Sequence, residues 1–122
     1  MSAYSSPLKR AFARARATGN IEDILPELLR AQLFVVCKRV PAGASPAFFI
    51  QHSPKPERWC VTVADSAEAL RGLQDVDLVP CVGEALIAAM NRAHEIVVAY
   101  PDGGDYLTRE QLDYFRSLSQ PG

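Results

Sequence analysis

Apolar positions along the chain fall into short blocks whose spacing switches between helical and extended. Leu8, Phe12 and Ala15 lie four and three residues apart, the stripe of an amphipathic helix over 7–18. Ser6 and Pro7 supply an N-cap and a first-turn proline, and Gly19 a stop. Ile24, Leu25, Leu28 and Leu29 repeat the pattern over about 21–32, with Asn20 as a cap. Pro26 cannot donate a helical hydrogen bond, so this spacing predicts a short turn before it and a helix from there onward.

The next blocks are extended. Residues 33–37 are almost continuously apolar, the mark of a strand buried on both faces. Residues 47–51 and 59–63 flank a segment with prolines at 54 and 56, which predicts a hairpin. Residues 41–46 read as a loop from their Pro, Gly and Ser content. Asp65, with Glu68 three residues on, predicts a capped helix carrying Ala67, Leu70 and Leu73. Strand 78–82, Ala-rich helix 83–93 and strand 95–100 follow, a step that usually means a right-handed parallel crossover. Residues 101–105 read as a turn. Thr108 and Gln111 form a capping box, with Leu107 and Leu112 placed as a hydrophobic staple. Leu112, Phe115 and Leu118 predict the buried stripe of a last helix. The fold class expected is α/β (α+β): one domain over 1–122, a mixed sheet of about five strands, an N-terminal helical pair, helices packed on the sheet, and fraying at 1–6 and 119–122.

Composition narrows the function classes. At 122 residues, with 48% hydrophobic and 22% charged side chains, the chain suits a single globular domain. No apolar run reaches the roughly 18 residues of a membrane span. The net charge of −1 conceals an asymmetry: residues 1–20 hold Lys9, Arg10, Arg14 and Arg16 and no acid, while the rest holds all 14 acids. An acidic body argues against a nucleic-acid partner. The Ser-, Ala- and Arg-rich start has the flavour of a transit peptide, but a first amphipathic helix with a solvated basic face is the preferred reading. Cys37, Cys60 and Cys81 are odd in number and sit in apolar blocks, which fits reduced, buried thiols in a cytoplasmic protein.

Candidate chemistry is sparse. Asp102 and Asp105 make an acidic turn, but two carboxylates are too few for a cation site by themselves. His52 and His94 lack partners at the spacing of a triad or zinc site. Arg58 shares a strand face with Cys60 and could activate it as a thiolate; core packing is the preferred role. No cofactor is expected. Trp59, Tyr100 and Tyr106 are large amphipathic aromatics near loops, the residue type that anchors interfaces. Trp59, Tyr100, Asp102, Asp105 and Tyr106 are therefore the candidate binding residues.

The order of elements carries a resemblance. A helix pair leads into Leu33-Phe34-Val35-Val36. A hairpin ends in Val61-Thr62-Val63-Ala64-Asp65-Ser66-Ala67-Glu68-Ala69-Leu70, and a strand enters a Pro-Gly turn before Leu107-Thr108-Arg109-Glu110-Gln111-Leu112. Over about residues 21–118 this resembles the N-terminal domain of the bacterial SseB family. Family members tend to carry a Phe-Thr-Ser-like segment where this chain has Val63-Ala64-Asp65-Ser66. They tend to carry an Asn-Pro-Gly-like turn where it has Tyr100-Pro101-Asp102-Gly103. The resemblance implies an α/β fold in a bacterial cytosolic setting and no catalytic residues. The expected function is a non-enzymatic module binding another protein, with homodimerisation through a strand edge as an option. The alternatives are a toxin-immunity protein, or a sensor or enzyme assembling His52, Cys81, His94 and Asp102.

Overall fold

A computed structural model describes residues 5–39, 41, 43, 47–52 and 57–119. Helix α1 spans Pro7–Thr18. Ser6 Oγ accepts from the Lys9 backbone N–H, and Gly19 ends the helix at φ 78°. A 3-10 turn, Ile21–Ile24, precedes α2, Leu25–Arg30, with Pro26 in its first turn as its missing N–H requires. Asn20 makes no side-chain cap bond.

Seven strands form one mixed sheet: β1 Gln32–Lys38, β2 Ala47–Phe48, β3 Ile50–His52, β4 Trp59–Ala64, β5 Val76–Val82, β6 His94–Tyr100 and β7 Gly103–Leu107. β1 pairs antiparallel with β5 along its whole length, and with β4 at Phe34 and Val35. Beyond that point β1 and β4 part. β2 runs antiparallel to β1 and β3 antiparallel to β4, so the chain turns back at Phe49 and fills the fork. The Phe49 N–H donates to the Val36 carbonyl at its apex. The predicted hairpin is thus β3–β4. The expected loop 41–46 and turn 53–57 fall mostly outside the described residues.

The parallel pairing lies elsewhere than the crossover suggested. β4 and β6 are parallel neighbours, whereas β5 lies on the far side of β1. Helix α3, Gly83–Ala89, therefore carries the chain past two strands. It is shorter than 83–93, because Met90 turns extended and the Asn91 carbonyl and side chain accept the His94 and Ala93 N–H groups. The expected turn 101–105 narrows to Pro101-Asp102, and Gly103-Gly104-Asp105 belong to β7, paired antiparallel with β6. Gly104 allows that approach: a Cβ there would lie 2.9 Å from the Val98 carbonyl oxygen. Ser66, in place of Asp65, caps the next segment, a 3-10 turn at Ala67–Leu70.

Helix α4, Arg109–Ser119, follows its capping box closely. The Thr108 N–H donates to Gln111 Oε1 at 2.9 Å, and the Gln111 N–H to Thr108 Oγ1 at 3.1 Å. Its inner stripe differs from the expectation. Leu112, Phe115 and Arg116 are buried, and Leu118 is 48% exposed. Positions 112, 115 and 116 are three and four apart, so they share a face that 118 leaves.

The main core lies between one face of the sheet and the helices. Leu33, Val35, Val61, Val63, Ile96 and Val98 meet Leu8, Phe12, Leu28, Leu86, Leu112 and Phe115 there.

Candidate functional site: the open face of the sheet

Strand alternation sends the intervening residues to the other face. The strand registers align them in two rows. One runs Leu78, Val36, then Thr62, Val97 and Tyr106; the other runs Pro80, Phe34, Ala64, Ala99 and Gly104. A smaller core of Val36, Ala64 and Leu70 forms where the 3-10 turn Ala67–Leu70 covers one corner, with Phe34, Phe49, Val76, Leu78 and Ala99 packed around it. Elsewhere on this face Thr62, Val97 and Tyr106 stay half-buried, and Leu73 is 50% exposed. A cavity of about 380 Å³ opens between Leu70, Leu73, Val36, Phe49 and Thr62. No α-helix contributes to this second cluster among the described residues.

The candidate residues from the sequence do not converge on one point. Trp59 starts β4 and His94 starts β6, its register partner. Tyr100 ends β6, six residues or about 20 Å along the strand. Trp59 is 43% exposed and stacks on His52 with ring centroids 4.0 Å apart. Tyr100, Asp102 and Asp105 sit at the opposite end, engaged with α1. Tyr100 is buried and its hydroxyl donates to Asp105 Oδ2 at 2.8 Å. Arg16 pairs with Asp105, and Lys9 holds both oxygens of Asp102 at 2.9 Å with its Nζ 5.5 Å above the Tyr100 ring. Burial, then the bond to Asp105, pushes the Tyr100 phenol well above its usual range. The basic face of α1, expected to be solvated, is thus partly spent on the hairpin that follows β6. Of the five candidates, Tyr106 is the one that alternation places on the open face.

The groups a composite catalytic site would draw on are divided between the ends. His52 and His94 flank Trp59, while Cys81 pairs with Leu33 and Asp102 lies beyond Tyr100. Arg58 reaches Glu95 at 2.9 Å and Glu110 at 2.7 Å rather than activating Cys60. Burial, with the Glu95 charge adding, pushes the Cys60 thiol up, the opposite of thiolate activation. Burial does the same at Cys37, reinforced by Asp77 and Cys81. Glu95 is fully buried at the start of β6; it also accepts the Arg109 N–H at 2.9 Å, a carboxylate at the positive end of α4. Among the described residues no three His, Cys, Asp or Glu side chains group as a metal site, and no helix is long and apolar enough to cross a membrane.

Sequence reading missed the open face because its two rows draw on five strands whose order no local pattern states. The visible signal was the alternation in Phe34, Val36, Thr62 and Val97, masked by equally apolar neighbours on the inner face. No protein-family model matches the chain. Neither the curated proteins nor the solved structures yield a match.

Proposed function

We propose that this protein is a non-enzymatic interaction module that docks another protein on the open face of its sheet. The observation that carries the reading is that Thr62, Val97 and Tyr106 stay only half-buried, with Leu73 50% exposed, beside a single covering turn, while the opposite face is sealed by helices. Apolar side chains left part-exposed on a sheet face that few elements cover are the kind of surface that another protein can complete. Five strands at about 4.8 Å give a span near 19 Å, matching roughly 13 residues of helix laid across them. The division of the histidines from Cys81 and Asp102 favours binding over catalysis. The resemblance to SseB N-terminal domains points to an accessory role in a bacterial cytosolic system.

The test compares capture from a bacterial lysate by the wild type, by V97K with L73D, and by R14E on the far side of α1. The expected outcome is one partner retained by the wild type and R14E and lost by the open-face variant, with unchanged circular dichroism. Equal capture by all three, or steady turnover of a substrate by the purified chain, overturns the reading.

A further inference from the structure

The chain that covers one corner of the open face also encloses a chamber. Past the 3-10 turn the Leu73 N–H donates to the Leu70 carbonyl at 3.3 Å, and Gly72 takes φ 96° between them. This tight bend sets Leu70, Arg71 and Leu73 around the cavity of about 380 Å³, whose apolar floor includes Val36 and Phe49. Thr62 and Gln51 line it too. The Thr62 hydroxyl donates to Gln51 Oε1 at 2.8 Å, which leaves the Gln51 amide N–H groups as donors. Among the described residues no Asp or Glu lines this cavity, and the exposed Arg71 side chain makes no hydrogen bond or ion pair. Asp75 and Asp77, the acids that follow in the chain, lie 4.0 and 3.7 Å from Arg39 instead. The wall is therefore mostly apolar, with one unspent positive charge at its rim.

We infer that this cavity binds a free small-molecule monocarboxylate with a ring-sized apolar body. The body enters between Leu70, Leu73, Val36 and Phe49, and the carboxylate stays at the rim, where the planar fork of Arg71 matches it bidentately. An amphipathic ligand suits the division between apolar floor and charged rim, because neither end has to leave a favourable environment. A single positive charge balances one carboxylate, whereas a phosphate monoester carries close to two charges at neutral pH. The volume lies at the lower end of the range that holds small organic ligands, about 300–1,000 Å³, which excludes a long acyl chain. Docking uses the rows beside the cavity and is followed by capture, whereas this site is followed with a small molecule on the chain alone, so either can fail without the other.

The probe is 2-naphthoate, with 2-naphthylmethanol as its neutral analogue, 2-naphthylmethylammonium as a cation of similar shape and acetate as an anion without a ring. Each is titrated into the full chain and followed by amide chemical shifts. 2-Naphthoate should saturate, with shifts centred on Val36, Leu70, Arg71 and Leu73. The alcohol should bind about fivefold more weakly, and the ammonium and acetate at least about tenfold more weakly. R71E should weaken 2-naphthoate at least about fivefold and L73A about threefold. R14E on α1 makes the same change of charge and should leave the affinity as it is. All three positions are exposed, so the fold should survive, with circular dichroism as the check. No saturable shift in the wild type, equal affinity for the alcohol, the ammonium or acetate, or wild-type affinity in R71E or L73A overturns the inference.

Discussion

At Gly83 the first turn of α3 rests directly on the backbone of α2. Its N–H donates to the Ala31 carbonyl at 3.0 Å, and a Cβ would lie 1.7 Å from the Leu28 carbonyl oxygen. Only a hydrogen fits there. G83A should destabilise the fold by about 3 kcal/mol in a urea titration, far beyond any gain in helix propensity; a neutral result would mean that the two helices do not meet in this way. Protons behave as predictably. Burial raises the pKa of Cys37, Cys60 and Tyr100. Each contributes stability that is complete below its unfolded pKa and lost as pH rises toward the folded value. The unfolded thiols ionise near about 8.5 and the phenol near about 10, so stability should fall from about pH 8.5 upward. Replacing both cysteines by alanine should delay that fall to about pH 10, as measured by denaturation at stepped pH.

Helix ends carry the element-scale predictions. Both members of the Thr108–Gln111 box form their bonds, so T108A should cost about 1 kcal/mol. Along α4, F115A should cost about 3–5 kcal/mol from the main core, whereas L118A should stay within about 0.5 kcal/mol because half of that side chain is already in water. Thermal melts of the two variants side by side distinguish the observed stripe from one that includes position 118. Helices α1 and α4 were legible from sequence because caps, prolines and periodicity are local. The short 3-10 turn after Ser66 and strand β7 were not. Gly103-Gly104-Asp105 has poor strand propensity, and its extended form depends on pairing with β6.

Across the whole molecule, β1 is flanked along its length by β5 and by β4 with the wedge of β2, and β4 by β1, β3 and β6. Amide exchange should therefore be slowest in β1, β4 and β6, and faster in β7, which pairs on one side alone among the described strands. Protection in β7 matching that in β4 would point to a further chain paired along this edge. Strand order also decides what is presented to solvent: four helices share one face, and the remaining rows are left beside a single turn.

The amino-acid sequence by itself determined the class, the bounds of α1, the shift of helix at Pro26, the capping of α4 and the apolar strands, because each rests on contacts within a few residues. Tertiary structure alone decided that β4 and β6 are parallel partners, that β2 and β3 wedge between β1 and β4, and that Arg116 turns inward. It also placed Tyr100 under α1 while leaving Val97 and Tyr106 on the open face. These outcomes depend on which distant strands and helices compete for the same surface, and the energy of that competition is not written in any one segment.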